Sequence, residues 1–223
     1  MKPLQGGAGS DCLCVAGYRA GIFPSPLDHN SLGRRASRGH VLRQGHKRYP
    51  YLLRKLSIAH VNQSWSGGIT YVPLLRGFMY LVAVIDWCSR YVLARQLSNT
   101  LDGIFSLDAL RQALVKARPK IFNTDQGAQF TADTFTACLL AANIQVSMDG
   151  RARALDNVSC ERLWRSVKYE NIYLNQYDTV RQLHAGLTAY FDFYNHERPH
   201  QSLNCRTPAE EHFVLCSEPA AFA

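Results

Sequence analysis

The feature that most constrains this chain is Phe78–Trp87, ten residues that are apolar almost throughout. A strand covered on one face alternates apolar and polar positions, whereas an unbroken apolar run marks a strand buried on both faces. Gly68–Leu75 precedes it as a second β-rich run, and Arg76-Gly77 between them is a hairpin signal. A strand inside a hairpin and covered on both sides requires a sheet with helices on each face.

The flanking pattern supplies those helices. Arg90–Leu97 reads as a third strand, and Leu101–Ala117 carries Phe105, Leu110, Leu114 and Ala117 at helical spacing. Pro119–Thr124 is a short strand ending at Asp125-Gln126-Gly127. Thr131–Ala142 is expected to be a helix capped by Thr131, and Ile144–Met148 a fifth strand. Asp156–Asn171 and Thr179–His196 are expected to be helices, the second stopped by Pro199. Three strands, then helix, strand, helix, strand, then helices, predict an α/β fold: a mixed five-stranded sheet flanked by helices.

Charge separates the chain into parts. Residues 1–60 hold ten Lys/Arg against two Asp/Glu, whereas residues 61–223 hold fifteen of each. Residues 1–45 are therefore expected to be a basic leader with little regular structure, 46–213 the folded domain and 214–223 a tail. A basic arm on DNA phosphates and a poorly ordered leader are both open readings of the first part. No apolar run reaches the ~20 residues of a membrane span and no signal-peptide pattern is present, so a cytoplasmic protein is expected. The seven cysteines are odd in number and read as reduced; Cys12-x-Cys14 has no second pair at zinc-finger spacing.

Two acidic residues stand out by position. Asp125 follows the end of a strand, where α/β folds place functional groups, and Glu161 lies one turn into a helix. Glu161, Arg165 and Lys168 follow at i, i+4 and i+7 on the face opposite Cys160, Leu163, Trp164 and Val167. A carboxylate among cations suits a site that holds Mg²⁺ while gripping phosphates; on spacing alone it also suits a solvated helix face. Trp164 reads as core. His196 and His200 read as polar caps, and neither a nucleophile-elbow motif nor a P-loop is present.

From about His46 to Phe213 the sequence resembles the second-frame product of bacterial insertion sequences, transposases with a retroviral-integrase-type core and an RNase H-like fold. The matching stretches are Tyr49-Pro-Tyr-Leu-Leu-Arg54, Asn62-Gln-x-Trp65, Ile69-Thr-Tyr-Val-Pro73 and Val84-Ile-Asp-Trp-x-Ser-Arg90. They continue with Asn123-Thr-Asp-Gln-Gly-x-Gln-Phe130, Asp156-Asn157-x-x-x-Glu-Arg-Leu-Trp-Arg165 and Lys168-Tyr-Glu170, and end with Phe193-Tyr-Asn195, Arg198-Pro-His200 and Thr207-Pro-Ala209.

The resemblance implies an Asp, Asp, Glu triad holding two Mg²⁺ (or Mn²⁺) ions, with 35 residues between the last two members. Asp125 and Glu161 match the second and third in motif and spacing. The first immediately precedes Ile-Thr-Tyr, and here that position is Gly68. Asp86 belongs to the family's own pattern and reads as supporting structure, pairing near Ser64 and about 13 Å along the strand from Gly68. Asp102, Asp149 and Asp156 are loop or cap positions. Arg162, Arg165, Lys168, Gln126 and Gln129 are the expected DNA contacts.

The implied partners are double-stranded DNA, at element ends and target, and further copies of the chain, with no membrane and no small-molecule substrate. Residues 1–44 lack the helical DNA-end-binding segments of related proteins, and a truncated or frame-shifted reading of a decayed element would explain both that leader and Gly68. The expected activity is metal-dependent DNA strand transfer, impaired by Gly68. A non-catalytic DNA-binding or oligomerising relic is the alternative, and an RNase H-type nuclease a third reading.

Overall fold

The computed structural model of the chain describes residues 49–149 and 158–217. The expected leader and Asp156 lie outside these. Five strands, β1 (Ser64–Pro73), β2 (Phe78–Asp86), β3 (Val92–Ser98), β4 (Ile121–Thr124) and β5 (Gln145–Met148), form one sheet in the order β3-β2-β1-β4-β5. β1–β2 and β2–β3 are antiparallel, and β1–β4 and β4–β5 parallel. The helices are α1 (Ile104–Lys116), α2 (Ala128–Thr131), α3 (Asp133–Ala141), α4 (Val158–Val167), α5 (Tyr173–Asn175), α6 (Val180–His196) and α7 (Pro208–Ser217).

β2 confirms the opening inference. Val82 and Val84 pack with Phe105, Leu110 and Phe135 from α1 and α3, while Leu81, Ala83 and Ile85 pack with Leu163, Leu187 and Phe191 from α4 and α6. Each such side chain contributes about 1.5–3 kcal/mol when withdrawn from water. The hairpin closes where Gly77, at φ +92, lets its carbonyl accept from Leu74 N.

β1 begins at Ser64, four residues before the expected start at Gly68. Ser64, Ser66, Gly67 and Gly68 give no apolar alternation, so the strand is formed there by its ladders to β2 and β4. Thr131 does not cap α3. It ends α2, its hydroxyl donating to the Ala128 carbonyl, and Ala132 at ψ 138 interrupts the helix before α3 begins at Asp133. Thr179 does cap α6, its side chain accepting from Gln182 N in a reciprocal capping box. α4 runs on through a π-helical turn, Lys168–Ile172, into α5. α7 reaches Ser217, so the boundary expected after residue 213 falls inside a helix.

The exposed edge of the sheet is blocked by side chains. β3 is an edge strand; Asn195 of α6 accepts from Val92 N and donates to Val92 O, and the Lys116 ammonium donates to Leu93 O. Among the described residues no helix is long and apolar enough to cross a membrane.

Candidate functional site: the parallel edge of β1, β4 and β5

Register builds the site. Ser66, Asn123 and Ser147 stand level across the three parallel strands, and two residues further along each stand Gly68, Asp125 and Asp149. The first row is a hydrogen-bonded thread under α4. Ser147 accepts from Leu52 N and donates to Asn123, Asn123 donates to Asp149 at 2.7 Å, and Ser66 meets the Cys160 thiol at 3.2 Å. Asp149 N donates to the Thr124 carbonyl, holding the start of the next loop beside Asp125. Asp149 was read from sequence as a loop position. It does lie in the loop just past β5, but buried in the wall of the site at 8% exposure, which only strand register could have shown.

Asp125 is exposed, and its carboxylate accepts from Gly127 N at 2.8 Å, a turn that leaves the second oxygen facing solvent. Glu161 is exposed on α4, next to buried Cys160. The Cys160 thiol reports how these groups converge. Burial chiefly pushes it up to about 12, a hydrogen bond with Ser66 opposes this, and the charges of Asp125, Asp149 and Glu161 raise it further.

Gly68 lies under the same helix. A Cβ there would meet Cys160 Cβ at 3.3 Å, Trp164 Nε1 at 3.3 Å and Cys160 Sγ at 3.4 Å. A side chain at position 68 would therefore point toward the helix that carries Glu161. Its absence lets α4 seat close on β1, and a larger residue requires a shift of a few tenths of an ångström. Trp164 is half-buried against the α4/α6 core, as expected of a core residue.

The other expected residues divide. Arg162 and Arg165 are exposed and Lys168 half-buried; among the described residues none pairs with a carboxylate. Gln126 and Gln129 have their amide groups engaged, donating to Asp149 O at 2.8 Å and Leu101 O at 3.1 Å. Asp86 is fully buried and pairs with Trp65, one residue from the expected Ser64. It accepts from Asn62 N, Ser89 N and Ser89 Oγ, so it braces the β2–β3 turn and offers nothing to the site. Asp102, in the loop before α1, accepts from Ile104 N and Thr100 Oγ1.

A cluster beyond α4 explains two further motifs. Arg198 grips Glu170 through Nε at 2.8 Å and Nη2 at 2.6 Å, and Tyr190 donates to the same carboxylate at 2.8 Å. Burial raises the Glu170 carboxyl, but these donors outweigh it and hold it below the usual range. This lock pins the π-helical turn that carries Lys168. His200 accepts from Arg198 and is pushed down to about 4, by burial first and then by Arg198 and Arg90. It is a neutral part of the lock.

Asp125 and Glu161 are all-oxygen donors, which suits a hard divalent cation such as Mg²⁺. Among the described residues no three His, Cys, Asp or Glu side chains gather as a metal-binding group. Gly68, packed under the helix that bears Glu161, adds no side-chain ligand to Asp125 and Glu161.

A five-stranded mixed sheet with carboxylates at its parallel edge and on the covering helix defines an RNase H-like integrase core. Comparisons agree. The Integrase core domain family matches residues 59–154, and a second family of that description matches 142–208. The transposase for insertion sequence element IS904 of Lactococcus lactis is 29% identical over 67% of this chain and 60% of its own length. Transposase InsF for insertion sequence IS3A of Escherichia coli is 33% identical over 62% of this chain and 50% of its own. The HTLV-2 integrase catalytic core, solved in complex with magnesium, superposes with a TM-score of 0.56 at 19% identity, covering 68% of this chain and 96% of that one.

This chain belongs to the integrase core domain family, and the curated relatives it matches are insertion-sequence transposases. It spans about half to three fifths of the length of the curated relatives it matches.

Proposed function

We propose that the chain is the core of a transposase for DNA strand transfer whose reaction centre lacks one carboxylate. The observation that carries this is Gly68, level with Asp125 and directed at the helix bearing Glu161. In this reading Asp125 and Glu161 hold one Mg²⁺ or Mn²⁺, which when bound would polarise the phosphoryl oxygen of a DNA strand. Arg165 on α4 and Lys168 on the π-helical turn that continues it, with no carboxylate partner among the described residues, hold the DNA backbone, and Arg162 extends that surface. Gln126 and Gln129 hold the loop after β4 in place through the bonds already described, beside the surface on which the DNA would lie.

Transfer by two-ion chemistry requires ions about 3.5–4 Å apart, and a carboxylate between them offsets their repulsion. Gly68 removes that group, so the chain as it stands transfers strands several orders of magnitude more slowly than one with Asp at 68. The same observation favours a second reading, in which the chain binds DNA and further copies without catalysis. Both readings place the protein with the nucleoid in the cytoplasm.

Metal linkage tests the assignment apart from activity. An ion that binds only the folded state stabilises it by about 2.7 kcal/mol at a hundred times its dissociation constant. Mg²⁺ is expected to raise the melting temperature of the chain modestly and of Gly68→Asp strongly, with no effect on Asp125→Asn. An equal rise in Asp125→Asn would refute the site.

A further inference from the structure

The blocked edge of β3 borders a groove that the reaction site does not use. It opens between α1 and α6, encloses about 680 Å³, and is lined by Arg95, Lys116, His184, Thr188, Asp192 and His196 among others. Arg95 is half-buried, with its guanidinium 5.0 Å above the Phe191 ring. The Lys116 ammonium is held by the Leu93 carbonyl. Two side chains thus fix two cations in one groove, and among the described residues neither forms an ion pair with a carboxylate.

The two cations repel each other, and among the described residues no carboxylate is in ion-pair contact with either. Burial pulls Lys116 below its usual range and Arg95 pulls it further; burial also lowers Arg95, with Asp192 opposing. Asp192 itself is exposed and engages His196 at 3.9 Å. A half-buried cation such as Arg95 is ordinarily paired, because an unpaired one forfeits hydration without return; Lys116 stands exposed at the rim of the groove. An anion held by Arg95 and Lys116 would offset the partial desolvation of Arg95 and the repulsion between the two.

We propose that this groove is a phosphate-binding site. Arg95 supplies a planar fork preorganised on Phe191, Lys116 a point charge, and the His184 ring a further hydrogen bond. An added peptide strand does not fit the same place, because Asn195 and Lys116 already occupy the edge groups of Val92 and Leu93. The groove lies at the β3 edge, two strands away from β1 and Gly68, so it is a second track and not an extension of Arg165 and Lys168. The phosphate comes either from a nucleic-acid backbone or from free phosphate, and the chemistry of recognition is shared.

The test uses the full chain at constant ionic strength. Low-millimolar inorganic phosphate is expected to raise the melting temperature of the chain but not of Arg95→Gln/Lys116→Gln. In a parallel arm, duplex DNA affinity is measured against salt. If the backbone is the source, the double variant binds roughly tenfold more weakly, and the slope of log affinity on log salt falls by about 1–2. If free phosphate is the source, only the first arm changes. Lys116→Gln alone carries the same readouts should Arg95→Gln fail to fold. Unchanged phosphate response and unchanged salt slope in a folded variant overturn the proposal, as does a variant that loses only association between copies.

Discussion

Replacing Arg198 by Met removes the lock between α6 and the π-helical turn while keeping the volume of the aliphatic stem. The Glu170 carboxylate then keeps Tyr190 alone, having lost two charge-assisted hydrogen bonds at 2.8 and 2.6 Å. The paired side chains are 26% and 36% exposed. That places the loss between an exposed pair, near 0–1 kcal/mol, and a buried one, near 3–5. A cost of about 2 kcal/mol follows, or roughly 4–8 °C in melting temperature for a domain of this size.

The pH dependence separates this mechanism from simple loss of packing. His200 sits near 4, below its ordinary 6.5, and Glu170 is also depressed. Both contributions are therefore present above the unfolded values and lost on acidification, His200 between about pH 6.5 and 4 and Glu170 lower still. Solvent screening at the half-exposed His200 ring keeps its share to about 2 kcal/mol. Without Arg198 both groups move back toward ordinary values, so the variant loses less on acidification. Denaturant midpoints at pH 7.5 and pH 5 are expected to show a large gap between the two proteins at the higher pH and a smaller one at the lower. A gap of the same size at both, or below about 0.5 kcal/mol at pH 7.5, refutes the argument.

Asp86→Asn keeps the shape of the β2–β3 brace but cannot accept from Asn62 N, Ser89 N and Ser89 Oγ together. It is expected to cost about 2–3 kcal/mol by chemical denaturation and to leave the Mg²⁺ response intact; loss of that response at full stability would make Asp86 a ligand. Arg165→Ala and Lys168→Ala are each expected to weaken duplex binding uniformly across sequences and lower the salt slope by about 1, with unaltered slopes counting against a phosphate role. Ile85→Ala, at a fully buried position, is expected to cost about 2–5 kcal/mol in a thermal or urea melt, and a cost below 1 would contradict the packing described for β2.

The sheet was legible where pattern and burial coincide. Phe78–Asp86 betrays its two-sided burial by composition, Gly77 its turn by the need for positive φ, and the distance of Asp86 from the hairpin placed it within one residue of its partner. Ser64–Gly68 was not legible as strand, because apart from Trp65 its residues are small or polar and their conformation is imposed by neighbouring strands. Asp125 and Glu161 were visible through motif and spacing. Asp149 was not, because its place beside Asp125 depends on the parallel register of β4 and β5. Glu170 and Arg198 are 28 residues apart, and only the return of α6 across the sheet joins them.

The most direct measurement is strand transfer by purified protein on element-end DNA with Mg²⁺ or Mn²⁺, comparing the chain as it stands with Gly68→Asp and Gly68→Asp/Asp125→Asn. Product is expected from the single variant alone, several orders of magnitude above the other two. Equal transfer by the chain with Gly68 would contradict the claim that the position facing Asp125 and Glu161 supplies the missing carboxylate.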